Sequence, residues 1–307
     1  MPQLSRFMYL FCRKALLFIC FCMIPAIAGA QSGSISSVDL RVMQQMEDSL
    51  NLTADSMYGA FLADTRIAYS TRFARQLVKA LKVPNSWSYD FPKLSKRVFV
   101  LYPDDRSFRI FNWDIAPSEI TRRYYGAIQM PSESLKLYGL VDYSQELGKT
   151  AEDSVLTQGK WYGCVYYKIR QEEVEGQKVY TLFGLNAAGR LSNKKVLDPL
   201  TFNESGPVFG APIFNVRSEA HPEQRVNRFI LEYKKDVQVA MNWDAERNNI
   251  YFDNLVSQVN DPARKYTYVA SGQIDGFRWN GQQWDYVQNI VTIVPRKDGQ
   301  APIGEER

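Results

Sequence analysis

The sequence predicts an α+β fold, predominantly antiparallel β, in which an N-terminal helical segment precedes successive hairpins. Three observations carry that prediction. Apolar residues recur at helical spacing between Val38 and Leu81. From about Arg97 the period changes to two, as half-buried strands require. The strand-like runs are joined by short Pro/Asp, Glu-Gly and Asn-Gly turns without a helical crossover, which implies antiparallel pairing.

The first thirty residues differ from the rest. Arg6, Arg13 and Lys14 form a basic leader without an acid, and Ala15 to Ala28 is an apolar run of roughly 14 residues, the length of a signal-peptide core and short of a bilayer span. Ala28-Gly29-Ala30 fits a signal peptidase site, so residues 1–30 are expected to be removed between Ala30 and Gln31. The competing reading, an uncleaved anchor reaching back to Phe7, is interrupted by Arg13 and Lys14. A lipoprotein is disfavoured, because Cys20 and Cys22 follow bulky residues. Residues 31–37 read as a Gly/Ser-rich tether.

Residues 38–83 form the helical segment, expected to pack on the β-domain. Val38 to Leu50 and Ala54 to Leu81 carry the periodicity, with Met57 and Phe61 four apart, then Phe73, Leu77 and Leu81; Pro84 stops the run. The antiparallel β-domain is expected over 95–293. Its first hairpin joins Arg97–Tyr102 to Ser107–Trp113 through Pro103-Asp104-Asp105-Arg106. A second joins Trp161–Arg170 to Lys178–Gly184 across Glu175-Gly176, with Val165, Tyr167 and Ile169 expected on one face. Phe229 to Tyr233 alternates, continues through Val237, Val239 and Met241 to Trp243, and turns into Ile250–Phe252. Asn280-Gly281 predicts a hairpin whose two turn residues take positive φ, with Trp279 and Trp284 facing each other across it. Between Pro131 and Thr157 the patterning fixes neither strand nor loop, and residues 295–307 read as a polar tail.

The formal charge of the 307-residue chain is +4, and loss of the three leader cations leaves +1. That balance argues against nucleic acid as a partner. No later stretch is long and apolar enough for a transmembrane segment. Without the leader, Cys164 is the single cysteine and no internal disulfide can form. Cys164 lies in an aromatic strand and reads as a buried packing residue.

Most catalytic constellations are missing. His221, the single histidine, sits in a polar loop and reads as solvated. One histidine and one cysteine cannot build a zinc site, and neither a phosphate-binding Gly-Lys-Ser/Thr loop nor a dinucleotide fingerprint is present, so no cofactor or metal is implied. Carboxylate chemistry stays open: Asp104, Asp105, Asp114, Asp198, Glu232 and Asp275 are scattered acids that a fold could converge, and a glycosidase needs only two. Turn preference alone explains Asp104, Asp105 and Asp275. Aromatics give the other signal. Trp113, Trp161, Trp243, Trp279 and Trp284 accompany predicted strands; each reads as core or as a ligand platform, with Trp279 and Trp284 the foremost platform candidates. Trp113 and Asp275 complete the candidate ligand-binding set.

The runs Tyr180–Gly184, Leu191–Asp198, Thr201–Asn203 and Pro207–Gly210, continued by Arg228–Tyr233, Ile250–Leu255 and Asp275–Trp284, with Asp105–Trp113 upstream, resemble a group of uncharacterised exported proteins of Bacteroidetes-type bacteria. The likeness covers residues 55–292. Leu185-Asn186 and Gly272-Gln273-Ile274 depart from the group's pattern, a Trp-Asp pair and a Ser-Tyr step. The resemblance implies a periplasmic or cell-envelope address and no activity. With that address, Asp48-Ser49-Leu50, Asp55-Ser56-Met57 and Asp153-Ser154-Val155 resemble the Asp-Ser/Thr-aliphatic site of bacterial O-glycosylation, naming Ser49, Ser56 and Ser154; a helix surface or cap explains each equally.

The sequence therefore predicts a non-enzymatic envelope or periplasmic protein that binds a glycan, a peptide or an envelope protein. The alternatives are a carboxylate-dependent hydrolase of cell-wall or dietary glycan and a structural subunit of an envelope assembly.

Overall fold

The computed structural model describes residues 33–118, 121–216 and 224–290, so the leader, its cleavage site at Ala30 and Gln31, His221 and the tail lie outside the described residues. The described residues cluster as one unit. The fold is α+β and mostly antiparallel β: a helical hairpin and three sheets stack in sequence.

Helix α1 (Ser37–Gly59) starts at Ser36, whose hydroxyl accepts from Asp39 N at 3.0 Å. It runs unbroken through Asn51, where the sequence placed a boundary, and ends at Ala60; α2 (Ala63–Leu81) follows. The late break corrects one expectation. Met57 is buried but Phe61 is 92% exposed, because Phe61 lies in the turn between the helices, outside the helical repeat.

The first sheet holds β1 (Phe99–Leu101), β2 (Arg109–Ser118), β3 (Thr121–Gln129) and β4 (Leu137–Leu140) in that order. The predicted first hairpin is β1–β2, with Val100 opposite Phe111. Alternation divides β2 between two cores. Phe111, Trp113 and Ile115 pack with Met43, Leu50, Phe73 and Leu77 of the helices, while Ile110 faces the second sheet. The unpatterned stretch 131–157 supplies β4, a short helix α3 (Ser144–Leu147) and β5 (Leu156–Thr157).

The second sheet is built from β5, β6 (Val165–Val174), β7 (Gln177–Asn186), β8 (Ser192–Asn203) and β9 (Gly206–Phe209). Glu175 and Gly176 both take positive φ, 52° and 79°, as the β6–β7 turn requires. Gly184 is fixed by packing, since a Cβ there would lie 2.7 Å from Cys164 Sγ. The sheet is covered on both faces: Tyr180 and Leu182 point to the first sheet, Val179 and Phe183 to the third. A bulge between Tyr166 and Lys168 corrects the expected shared face of β6. Tyr166 and Ile169 face one core and Tyr167 the other, because the extra residue shifts the alternation.

The third sheet takes β10 (Phe214–Asn215) and β11 (Arg225–Val226). The next strand, β12 (Phe229–Lys234), pairs instead with β8. Then β13 (Met241–Asp244), β14 (Asn249–Ser257), β15 (Tyr268–Trp279) and β16 (Trp284–Val287) complete the third sheet in the order β11-β10-β16-β15-β14-β13. All its pairs are antiparallel except β10–β16. Val237 and Val239 lie before β13, in a connection rather than a strand. The Asn280-Gly281 hairpin forms with a different turn. Trp279 pairs with Trp284, leaving residues 280–283 as the loop; Gly281 alone takes positive φ there, and Asn280 Oδ1 accepts from Gln282 N and Gln283 N at 2.9 and 3.0 Å.

Candidate functional site

The structure divides the sequence-predicted residues between core and cleft. Trp113 is buried: its indole donates to Ser70 Oγ at 3.2 Å and stacks on Tyr125. Trp284 is wholly buried and donates to Thr181 Oγ1 across the gap to the second sheet. Trp279 does face it, with ring centroids 5.1 Å apart, but only Trp279 retains partial exposure. An exposed two-tryptophan platform is thus corrected to one half-buried ring packed on a core residue. Trp161 is also core.

The acids scatter too. Asp104 is exposed in its turn, Asp105 accepts from Lys178 and Tyr180, and Asp114 pairs with Arg122 at 3.2 Å. Asp198 is fully buried, bound by Arg228 Nε at 2.8 Å and Tyr166 OH at 2.7 Å. Only Glu232 and Asp275 come together, in one cleft of about 740 Å³.

Four parts form that cleft. One wall is β12, where Glu232 stands opposite Lys194 of β8, with Oε2 3.8 Å from the ammonium and Oε1 accepting from Ser192 Oγ at 2.5 Å. The floor comes from Phe252, Asp275 and Tyr286. Where β15 bulges at residues 271–273, opposite Asn254 of β14, the Asn254 amide donates to Asp275 Oδ2 at 2.6 Å; Tyr286 OH donates to the same oxygen and Asn289 N to the other at 3.0 Å. Burial, then the bond to Asp275, pushes the Tyr286 phenol above its ordinary range. Asp275 is 1% exposed and saturated with donors, so it organises the floor. The rim is the β14–β15 connection, where Tyr266 is 40% exposed and Lys265 Nζ lies 4.5 Å over the Tyr268 ring.

Joined to β12 is the stretch carrying Lys149 and Glu152, which the sequence reading missed because 131–157 lacks periodicity. Its anchor is buried. Trp161 donates to Tyr166, Tyr166 to Asp198, and Arg228 bridges Asp198 to the Ala151 carbonyl. Arg228 N also donates to the Glu152 carbonyl at 3.0 Å. Glu152 Oε1 accepts from Ile230 N at 3.2 Å, and burial raises its carboxyl above the usual range.

Ser49 and Ser56 sit within α1, their hydroxyls donating to the carbonyls of Gln45 and Leu52; Ser154 donates to Thr150 O. Among the described residues no group of three or more His, Cys, Asp or Glu is placed to hold a metal, and no helix is long and apolar enough to cross a membrane. Compared with family models, curated proteins and solved structures, the chain matches none.

Proposed function

We propose that this is an exported envelope or periplasmic binding protein whose cleft between β12 and the β14–β15 connection holds a glycan or peptide. The observation that carries the reading is the lining: the exposed Tyr266 ring stands beside both carboxylates and ammonium groups, so one ligand can meet a flat apolar surface and charged hydrogen-bonding partners together. The leader supports the export.

A binding screen of glycan and peptidoglycan fragments tests it. Saturable binding weakened about tenfold by Tyr266→Ala or Lys265→Ala is expected, the loss of one good contact. Absence of binding to every fragment would overturn it.

A second reading, the carboxylate-dependent hydrolase, is favoured by Glu152 and Glu232. The two share the cleft in contrasting environments, one desolvated and the other facing Lys194. Glu152→Gln separates the readings: a binder keeps its ligand, and a hydrolase loses turnover while still binding.

A further inference from the structure

The helical hairpin presents a surface that the cleft does not use. Phe61 and Leu62, leading into α2, are 92% and 63% exposed. Their loop is braced from below: Arg66 Nε donates to Ala116 O at 2.8 Å, and its Nη1 to the carbonyls of Ala60 and Phe61 at 3.0 and 3.2 Å. Three backbone carbonyls are thus held on the Arg66 guanidinium, while the Phe61 side chain itself buries almost nothing. Beyond it, Ala68, Arg72, Arg75, Lys79 and Lys82 follow at three- and four-residue steps, so they share one outward face, and all are exposed. None of these four cations has a carboxylate within 4.0 Å among the described residues. Acids of the neighbouring helix are engaged elsewhere, Asp48 with Lys93 and Asp55 with Arg97, leaving Asp64 as the single acid on the face.

We infer that this face docks on an anionic lipid bilayer, with α2 along the headgroups and Phe61 and Leu62 entering the interface. The cations supply attraction to anionic headgroups. The exposed aromatic and aliphatic pair supplies the apolar anchor that an electrostatic patch alone lacks. An acidic polymer would use the cations and leave Phe61 in water; the combination selects a bilayer. The docking is independent of any cleft ligand.

Flotation of the purified, host-processed protein with mixed phosphatidylglycerol–phosphatidylethanolamine vesicles, against phosphatidylcholine vesicles, tests the inference. Binding to the anionic vesicles should weaken with salt. It should fall about tenfold or more in the Arg72→Glu/Arg75→Glu/Lys79→Glu variant, and also fall in Phe61→Asp. All four positions are exposed, so unchanged denaturation midpoints verify the fold. Failure to bind anionic vesicles overturns the proposal. So does binding that ignores Phe61→Asp, which would mark a general polyanion patch or a retained leader.

Discussion

Arg109 and Gln129 stand opposite each other on β2 and β3, and the guanidinium grips a single amide oxygen, through Nε at 2.8 Å and Nη2 at 2.6 Å. Its other N–H groups reach Tyr89 O, Tyr102 OH and Ser86 O, and the rings of Trp87, Phe91, Tyr102 and Phe111 surround it within 5.9 Å. Among the described residues no carboxylate forms an ion pair with this buried cation, so neutral acceptors and ring faces stabilise it. Gln129 passes the network to Ser86, and Ser86 to the Leu81 carbonyl at the end of α2. One cross-strand pair therefore ties the helical hairpin to the first sheet.

Replacing Arg109 by Met would leave several buried acceptors unmet, a loss of about 3 kcal/mol. Arg109→Lys should also destabilise, since an ammonium has three donors without the planar fork. Urea denaturation measures both.

Breaking the buried Asp198–Arg228 pair should cost more than removing it. Asp198→Asn or Arg228→Met alone leaves a buried charge unpaired, a cost of about 3–5 kcal/mol, and the double replacement should cost less than the two singles added. Because the Arg228 guanidinium holds the Ala151 carbonyl, next to Glu152, Arg228→Met should also weaken binding of the proposed cleft ligand. A double-mutant cycle in urea, with a binding titration, reads both effects.

Gly184→Ala should destabilise by about 1–3 kcal/mol through its clash with Cys164 Sγ, and Cys164→Ala should relieve part of that cost. Burial also pushes the Cys164 thiol well above its ordinary pKa, so a thiol reagent should label it only on unfolding. Thermal melts and labelling kinetics check these.

Glu152 predicts a pH signature. Its raised folded-state pKa means the protonated carboxyl is favoured on folding, a contribution present below the ordinary Glu range and lost as pH rises through the raised value. Glu152→Gln should therefore gain stability relative to the parent between pH 4 and pH 8, about 1 kcal/mol or less for a partly buried group. Denaturation midpoints of the two proteins at both pH values decide it.

The parts legible in sequence are those set by local rules. Period-two runs located the strands, Glu175-Gly176 a hairpin turn, and Phe73, Leu77 and Leu81 the buried face of α2, because each follows from how one residue sits relative to its near neighbours. Stacking was not legible. β7 reads as one apolar run, and only tertiary structure decides that Leu182 faces the first sheet and Phe183 the third. The same holds for the tryptophans, since a strand residue looks alike in sequence whether its face is covered or open. The cleft was least legible. It brings Glu152, from an unpatterned connection anchored by the buried Arg228–Asp198 pair, into one lining with Glu232 and Asp275, and contacts between residues so far apart follow from packing, which leaves no period behind. The sequence by itself determined an α+β chain of hairpins with a helical preface; the order of layers and the choice of which acids converge were decided by which faces the layers bury against one another.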